Sequence, residues 1–440
     1  MYLKRKKEKI GRRKMNYSQM TREELLEEKS KVEALYKEYQ ERGLKLDMSR
    51  GKPSSDQLDK CLPIMDVLTS KDDYHASNGF DTRNYGLVDG IPEAKELMAA
   101  IMDTKAENVI ISGNASLNIM FDCIARAFCF GIMGSTPWSK LDKVKFLCPV
   151  PGYDRHFGVT EHFGIEMINI PMNEDGPDMD MVEKYVNNDE AVKGIWCVPK
   201  FSNPEGVVYS DEVVRRFANL SPKAKDFRIF WDNAYAVHYL YDEEIQILDI
   251  IEECAKAGNP NMVYEFASTS KISFAGAGIS AIASSIDNLE DIKKTITKQT
   301  IGPDKINELR HVRYFKDKKG VLEHMKVLAS ELRPRFELVN KILDEELKGL
   351  DAGTYIVPRG GYFITYRAKN GCATRIVELA KEAGVVLTGA GAPFPYHKDP
   401  EDSVIRIAPS YPSMKELEEA AKVFAVCAKY ATLEKILENK

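Results

Sequence analysis

Short apolar runs separated by amphipathic stretches recur along the chain, and polar residues gather where the apolar runs end. Asn108-Val109-Ile110-Ile111 leads into Ser112-Gly113-Asn114-Ala115-Ser116, after which Leu117, Met120, Phe121, Ile124 and Phe128 mark one helical face. Val144 to Cys148 ends at Pro151-Gly152-Tyr153-Asp154-Arg155-His156, and Gly194 to Val198 ends at Asn203-Pro204-Glu205-Gly206. Arg228 to Trp231 ends at Asp232-Asn233-Ala234-Tyr235, and Met262 to Phe266 ends just before Ser268-Thr269-Ser270-Lys271. Runs that are apolar throughout suit strands covered on both faces, and the intervening helical stretches supply the cover. The pattern therefore predicts an α/β protein with a doubly wound, mostly parallel sheet and its site along the carboxyl ends of the strands.

The two ends of the chain read differently. Thr21-Arg22-Glu23-Glu24 is a capping box, and Leu25, Val32, Leu35, Tyr36 and Tyr39 follow at helical spacing toward Gly43. Leu44 to Met48 alternates, and Ser49-Arg50-Gly51-Lys52-Pro53 turns the chain, with a glycine that lets backbone approach a ligand. Asn84-Tyr85-Gly86 and Asp89-Gly90 precede a helix starting at Pro92, a good first-turn residue. Beyond Gly320 a long helix carries Leu322, Met325, Leu328 and Leu332, and Pro334 is expected to kink or break it. Alternating segments at Thr354 to Val357, Gly361 to Tyr366, Val385 to Leu387 and Val404 to Ala408 follow, with a closing helix from Ser413. The expected organisation is a basic, disordered tail (1–15), an N-terminal segment (16–55) packing on the small domain, a large domain (56–320) and a smaller α+β domain (321–440). The tail reads as lying upstream of an alternative start at Met15.

Composition narrows the function. The 440 residues are 44% hydrophobic and 29% charged, ordinary for a soluble globular protein, and suffice for two domains. A net charge of −5 argues against nucleic-acid or membrane partners, and no apolar run approaches the roughly 18 residues a bilayer span requires. The eight cysteines never fall at CxxC spacing and several sit in apolar runs, so they read as reduced core residues of a cytoplasmic protein. The seven histidines form no metal-ligand pair, and no metal is expected.

A lysine delivered by a buried strand into a patch of hydroxyls and glycines needs a reason, and Schiff-base chemistry supplies one. Pyridoxal 5′-phosphate requires an imine-forming lysine, a carboxylate for the pyridine nitrogen, donors to the ring oxygen, a phosphate cup and a cation for the substrate carboxylate. Lys271 suits the first and Asp232 the second. Asn203 and Tyr235 suit the ring oxygen, and Tyr153 can stack on the ring. Ser112, Gly113, Asn114, Ala115 and Ser116, with Ser268 and Ser270, form a candidate phosphate cup, since a strand–turn–helix leaves free helix N–H groups for an anion. Arg406 suits the substrate carboxylate.

In order and spacing these residues resemble the aspartate aminotransferase superfamily, the fold-type I, class I/II pyridoxal phosphate enzymes. The resemblance is carried by Tyr85 with Gly90, Ser112-Gly113-Asn114, Pro151-Gly152-Tyr153, Asn203-Pro204-x-Gly206, Asp232-x-Ala234-Tyr235, Ser268-x-Ser270-Lys271 and Ile405-Arg406. It implies a homodimer with shared active sites in which Tyr85 reaches the partner's phosphate, Gly51 lies near the substrate, and Arg406 pairs with a carboxylate. Pro358 to Phe363 resembles the family's pocket-lining segment from the small domain, with strand core as the other reading of Tyr362 and Phe363. One departure is plain: the family's phosphate-binding arginine falls here at Ile279 or Ser280, where backbone amides of the glycine turn are the expected substitute. With Pro151 to His156 and Gly302 to His311, this points to a divergent bacterial aspartate aminotransferase group. The implied reaction moves an amino group between aspartate or glutamate and a 2-oxo acid such as 2-oxoglutarate. Arg155, Lys305, Arg310 and Arg313 are candidates for reading the acidic side chain. The alternatives are another fold-type I lyase, decarboxylase or synthase, or a non-catalytic pyridoxal phosphate-binding regulator.

Overall fold

The computed structural model describes residues 16–439, so the basic tail at 1–15 lies outside the described residues. In chain order the strands are β1 (Leu46–Asp47), β2 (Val109–Ile111), β3 (Lys145–Val150), β4 (Glu166–Asn173), β5 (Gly176–Pro177), β6 (Val192–Cys197) and β7 (Arg228–Asp232). They continue as β8 (Val263–Ser268), β9 (Ser280–Ala283), β10 (Gly353–Tyr355), β11 (Ile364–Ala368), β12 (Val385–Val386) and β13 (Val404–Ile407). One large sheet has the order β2-β9-β8-β7-β6-β3-β4-β5. Its centre, β8 through β4, is parallel, while β9 runs antiparallel to both β8 and β2.

The apolar character of the central strands follows from their position. Ile229 and Trp231 of β7 enter one core with Ile195 and Cys197 of β6. Phe230 and Trp196, on the opposite pleats, enter another with Phe146 and Phe266. Each strand thus buries both faces, which is why its sequence does not alternate.

A third core joins the two ends of the chain. Leu25, Val32, Tyr36 and Tyr39 of helix Arg22–Glu41 pack with Phe336 and Val339 of helix Lys318–Leu347 and with Phe424 of helix Met414–Glu438. The capping box forms: the Glu24 amide donates to Thr21 Oγ1 (3.3 Å) and the Thr21 amide to Glu24 Oε2 (2.8 Å). β1 then pairs in parallel with β12, Leu46 opposite Val385, which fixes where residues 49–51 emerge. β10, β11 and β13 make a separate antiparallel sheet.

Several expectations are corrected. Pro334 lies inside one continuous helix, Lys318–Leu347, whose first half packs with the large sheet's core (Val321, Met325) and whose second half packs with the third core. Continuous packing along both halves outweighs the one backbone bond that proline removes. Leu35 is 39% exposed and Phe121 37% exposed, so neither belongs to its helix's buried face. Phe121 instead packs against Phe163 at the surface, with ring centroids 5.0 Å apart. Cys129 is an exposed thiol; the other cysteines are buried. Among the described residues no helix is long and apolar enough to cross a membrane.

Candidate active site

The carboxyl ends of β3, β6, β7 and β8 converge on a cavity of about 310 Å³, lined by Tyr153, Asn203, Asp232, Tyr235 and Lys271 from the large sheet and by Arg406 from β13. Gly51 and Phe363 form its opposite wall. A Cβ on Gly51 would stand 2.4 Å from Phe363 Cζ, so glycine is what lets this backbone close against the ring. Phe363 therefore lines the pocket, while Tyr362 is strand-side core whose hydroxyl accepts from Gln57 Nε2 at 3.2 Å.

Lys271 sits in a turn after β8, where the Ile272 and Ser273 amides both return to the Thr269 carbonyl (2.9 and 2.8 Å). Its Nζ lies 5.1 Å from the Tyr235 ring centroid and 6.0 Å from that of Tyr362. Burial lowers its pKa below the ordinary lysine value, against the opposing pull of the Asp232 carboxylate. That direction makes a neutral amine available for proton transfer. Tyr235 is buried and its phenol is held well above the usual range, so it stays a donor. Burial, then the Asp232 and Asp154 carboxylates, push Tyr153 up to about 12.

Asp232 ends β7 at 2% exposure. Its Oδ2 accepts from His156 Nε2 at 2.9 Å, and its buried Oδ1 has no partner. His156 stacks on Trp196 (centroids 4.4 Å apart, planes 10° apart), and Trp196 Nε1 donates to Thr160 Oγ1 one turn further along the same helix. The segment ending at His156 points to the family but does not by itself announce this contact. The signal is its spacing from Tyr153, which puts both rings on the first turn of helix Asp154–His162.

The phosphate-cup residues assemble from two loops. Ser268 Oγ donates to Ser270 Oγ (3.0 Å), Ser270 Oγ to the Asn114 carbonyl (3.3 Å), and Asn114 Nδ2 to the Ala275 carbonyl (3.2 Å). Gly113 has φ +62°, and helix Ser116–Phe130 has Ala115 at its N-cap, which offers no side-chain hydrogen bond. Its first N–H groups therefore face this cup with the positive end of the helix dipole. The Ile279 side chain is buried in core, and its amide donates to Thr269 Oγ1 (2.9 Å). Ser280 Oγ donates to the Ser112 carbonyl, so neither residue at the arginine's place points a donor at the cup.

Arg406 Nη1 donates to Asp154 Oδ1 (2.9 Å) and Asn203 Oδ1 (3.3 Å), while its Nε and Nη2 donate to Thr388 Oγ1 (3.4 and 3.3 Å). Arg155 lines the same cavity, as does Arg50 beside Gly51. Tyr85 does not join this group: it is 77% exposed and outside its own chain's cavity. Lys305 is buried over the Phe80 ring, and neither it nor Arg310 nor Arg313 lines the cavity.

Two of these features test for pyridoxal phosphate. A buried carboxylate oxygen without a partner awaits a cationic N–H, and an uncapped helix start ringed by hydroxyls awaits an anion. The residues fit the cofactor at both ends. Fold and site together define a fold-type I pyridoxal phosphate-dependent aminotransferase. The chain belongs to the aspartate amino-transferase family, whose model matches residues 20–440. It is 46% identical over 404 residues to an aspartate aminotransferase of Corynebacterium glutamicum, covering 92% of this chain and 93% of that one. The crystal structure of an aspartate transaminase from Corynebacterium glutamicum superposes with a TM-score of 0.93 at 45% identity, covering 96% and 99% of the two chains. LysN, an α-aminoadipate aminotransferase of Thermus thermophilus seen with N-(5′-phosphopyridoxyl)-L-leucine, shares the fold at TM-score 0.70 and 17% identity, covering 89% of this chain and 93% of LysN.

Proposed function

We propose that this aminotransferase moves an amino group between aspartate or glutamate and a 2-oxo acid such as 2-oxoglutarate, with pyridoxal 5′-phosphate held by Lys271. The single observation that carries the reading is the Lys271 amine facing the Tyr235 ring at 5.1 Å in a cavity also lined by Asp232. The acidic substrate is supported by the 46% identical aspartate aminotransferase.

When bound, pyridoxal phosphate supplies an electron sink for the carbanion left on the substrate α-carbon. Lys271 Nζ would take the proton from that carbon and hold it for return, a role its lowered pKa favours. Asp232 would hold the ring nitrogen of the bound cofactor, and His156 keeps that carboxylate oriented. Tyr235 and Asn203 would serve the ring oxygen, and Tyr153 would cover the ring. Residues 112–116, Ser268 and Ser270 cradle the phosphate, with the free amides of helix Ser116–Phe130 in the arginine's place. Arg406 takes the substrate α-carboxylate beside Gly51, with Arg155 at the pocket wall.

We further read the protein as a cytoplasmic homodimer in which Tyr85 serves the partner's phosphate, its 77% exposure supporting that reach. The division at residues 55 and 320 is supported by the shared core of the chain's two ends, with helix Lys318–Leu347 as the bridge. An absorbance spectrum tests the core of this reading. A band above about 400 nm that converts toward 330 nm on adding aspartate is expected. No visible band after incubation with pyridoxal phosphate would refute it.

A further inference from the structure

Arg406 is engaged on every side-chain nitrogen by its own chain. Nη1 donates to Asp154 Oδ1 (2.9 Å) and Asn203 Oδ1 (3.3 Å), while Nε and Nη2 share Thr388 Oγ1 (3.4 and 3.3 Å). A bidentate grip on a carboxylate needs two neighbouring N–H groups aimed the same way. Both edges of this guanidinium, Nε–Nη2 and Nη1–Nη2, already carry an acceptor. A further carboxylate grips Arg406 in that way only by displacing one of them.

The three acceptors are not equally free to leave. Thr388 Oγ1 is anchored by donating to the Ser49 carbonyl at 2.7 Å. Asn203 is 5% exposed, in a turn closed by the Gly206 amide on the Ser202 carbonyl (2.7 Å). Asp154 differs: its side chain is 26% exposed and lines the cavity. It is also the first residue of helix Asp154–His162, where the positive end of the helix dipole favours a carboxylate whether or not it holds Arg406. The need it meets is that of Arg406, whose side chain is only 9% exposed and without a counter-charge would be a buried, unpaired cation.

We propose that Asp154 is an internal competitor for Arg406, the carboxylate that a substrate's α-carboxylate must replace. The inference rests on the transaminase reading, in which Arg406 takes that group. The exchange trades one ion pair for another: the contact of Arg406 with Asp154 opens, its contact with the substrate forms, and Asp154 turns to water at the helix start. Binding then registers only the difference between two similar pairs, which keeps carboxylate affinity modest and lets the product acid leave. A ligand without a carboxylate has nothing to exchange for Asp154, so the same residue sharpens selection for acids. Asp154 thus sets substrate affinity by acting through Arg406.

The test measures propionate binding to the holoenzyme by calorimetry in wild type, Asp154→Asn, Arg406→Gln and the double variant. Asparagine keeps the shape of Asp154 and removes its charge, so losing the charge-assisted competitor predicts propionate binding about 10- to 100-fold tighter. Asp154→Ala should move in the same direction, and KM for aspartate should fall in both variants. In the Arg406→Gln background the Asp154→Asn gain should vanish, because there is no guanidinium left to contest. Weaker or unchanged propionate binding in Asp154→Asn and Asp154→Ala would overturn the proposal and make Asp154 a support that merely holds Arg406 in place. An equal gain with and without Arg406 would overturn it too, as a general effect of removing a negative charge. Failure of the transaminase reading registers separately, as a wild-type cofactor band that no amino acid alters, since propionate binding requires no reaction.

Discussion

At the scale of single residues, the proposed site turns on Lys271 and Asp232. Lys271 is drawn toward the neutral amine by burial, and substitution to alanine removes the proton carrier. General acid–base catalysis contributes about 10²- to 10⁴-fold, so Lys271→Ala should lose at least that in turnover while retaining its circular dichroism spectrum. Single-turnover absorbance with aspartate reads this directly; near-normal conversion would remove Lys271 from the mechanism. Asp232 is a carboxylate at the cavity wall that is only 2% exposed. Among the described residues, His156 supplies the one hydrogen bond to its carboxylate, at 2.9 Å. His156→Phe keeps a ring against Trp196 and deletes the donor, leaving Asp232 Oδ2 buried without a partner. Loss of a hydrogen bond to a charged group predicts a roughly 10- to 100-fold fall in kcat with little change in KM for aspartate. A fall in KM-dependent binding alone would instead assign His156 a packing role.

At the scale of an element, the helix Lys305–Phe315 supports the catalytic turn from behind. Asn307 Nδ2 donates to the Ala277 and Gly278 carbonyls (3.0 and 2.9 Å). His311 Nδ1 donates to the Asn307 carbonyl, and its Nε2 accepts from Ser273 Oγ, each at 2.8 Å. Glu308 Oε2 accepts from the Ile91 amide at 2.8 Å. Burial lowers His311 from 6.5 to about 4 and raises Glu308 from 4.5 to about 8. The two signs are opposite. Between pH 4 and 6.5 the unfolded chain binds more protons at His311, so its contribution is complete above pH 6.5 and lost as pH falls. Between pH 4.5 and 8 the folded chain binds more at Glu308, so its contribution is present below pH 4.5 and lost as pH rises. In urea titrations, the stability deficit of His311→Gln should therefore be largest near pH 7 and shrink by roughly 3 kcal/mol toward pH 4. Glu308→Gln should gain on wild type as pH rises from 5 to 8; a pH-independent difference in either variant would contradict the assignment. None of this support was legible in the sequence, because Ser273 and His311 are brought together only by tertiary packing. What was legible were residues whose chemistry coincides with a strand end: Asp232 closes β7, Lys271 follows β8, and Ser112 follows β2. Arg50 was overlooked because an arginine in a turn has no local pattern to separate it from a solvated charge.

At the scale of the whole molecule, one chain brings nearly all the anticipated site residues together and leaves Tyr85 outside. Its side chain is 77% exposed, and nearby Ile301 is 60% exposed, with Gly302 packed against the Gly86 carbonyl. Exposed large apolar side chains on adjoining loops are surface that a second copy would cover. The proposed homodimer converts this into an arithmetic prediction. A Lys271→Ala chain supplies a sound Tyr85 but no proton carrier, and a Tyr85→Ala chain supplies the reverse. If Tyr85 acts across the interface, each hybrid dimer holds one site with both defects and one site with none. Mixing the two inactive or weakened variants, with dissociation and reassociation, should then restore about a quarter of the sites in a random assortment. If Tyr85 acted on its own chain's phosphate, every hybrid site would carry one defect and mixing would restore nothing. Activity and cofactor retention at limiting pyridoxal phosphate should rise together in the mixed sample, because an intact site recovers both the lysine and the phosphate contact at once. Recovery of neither would overturn the action of Tyr85 across the interface, whereas a Tyr85→Ala homodimer as active as wild type would place Tyr85 outside the active site and leave the phosphate to the glycine turn and the helix starting at Ser116.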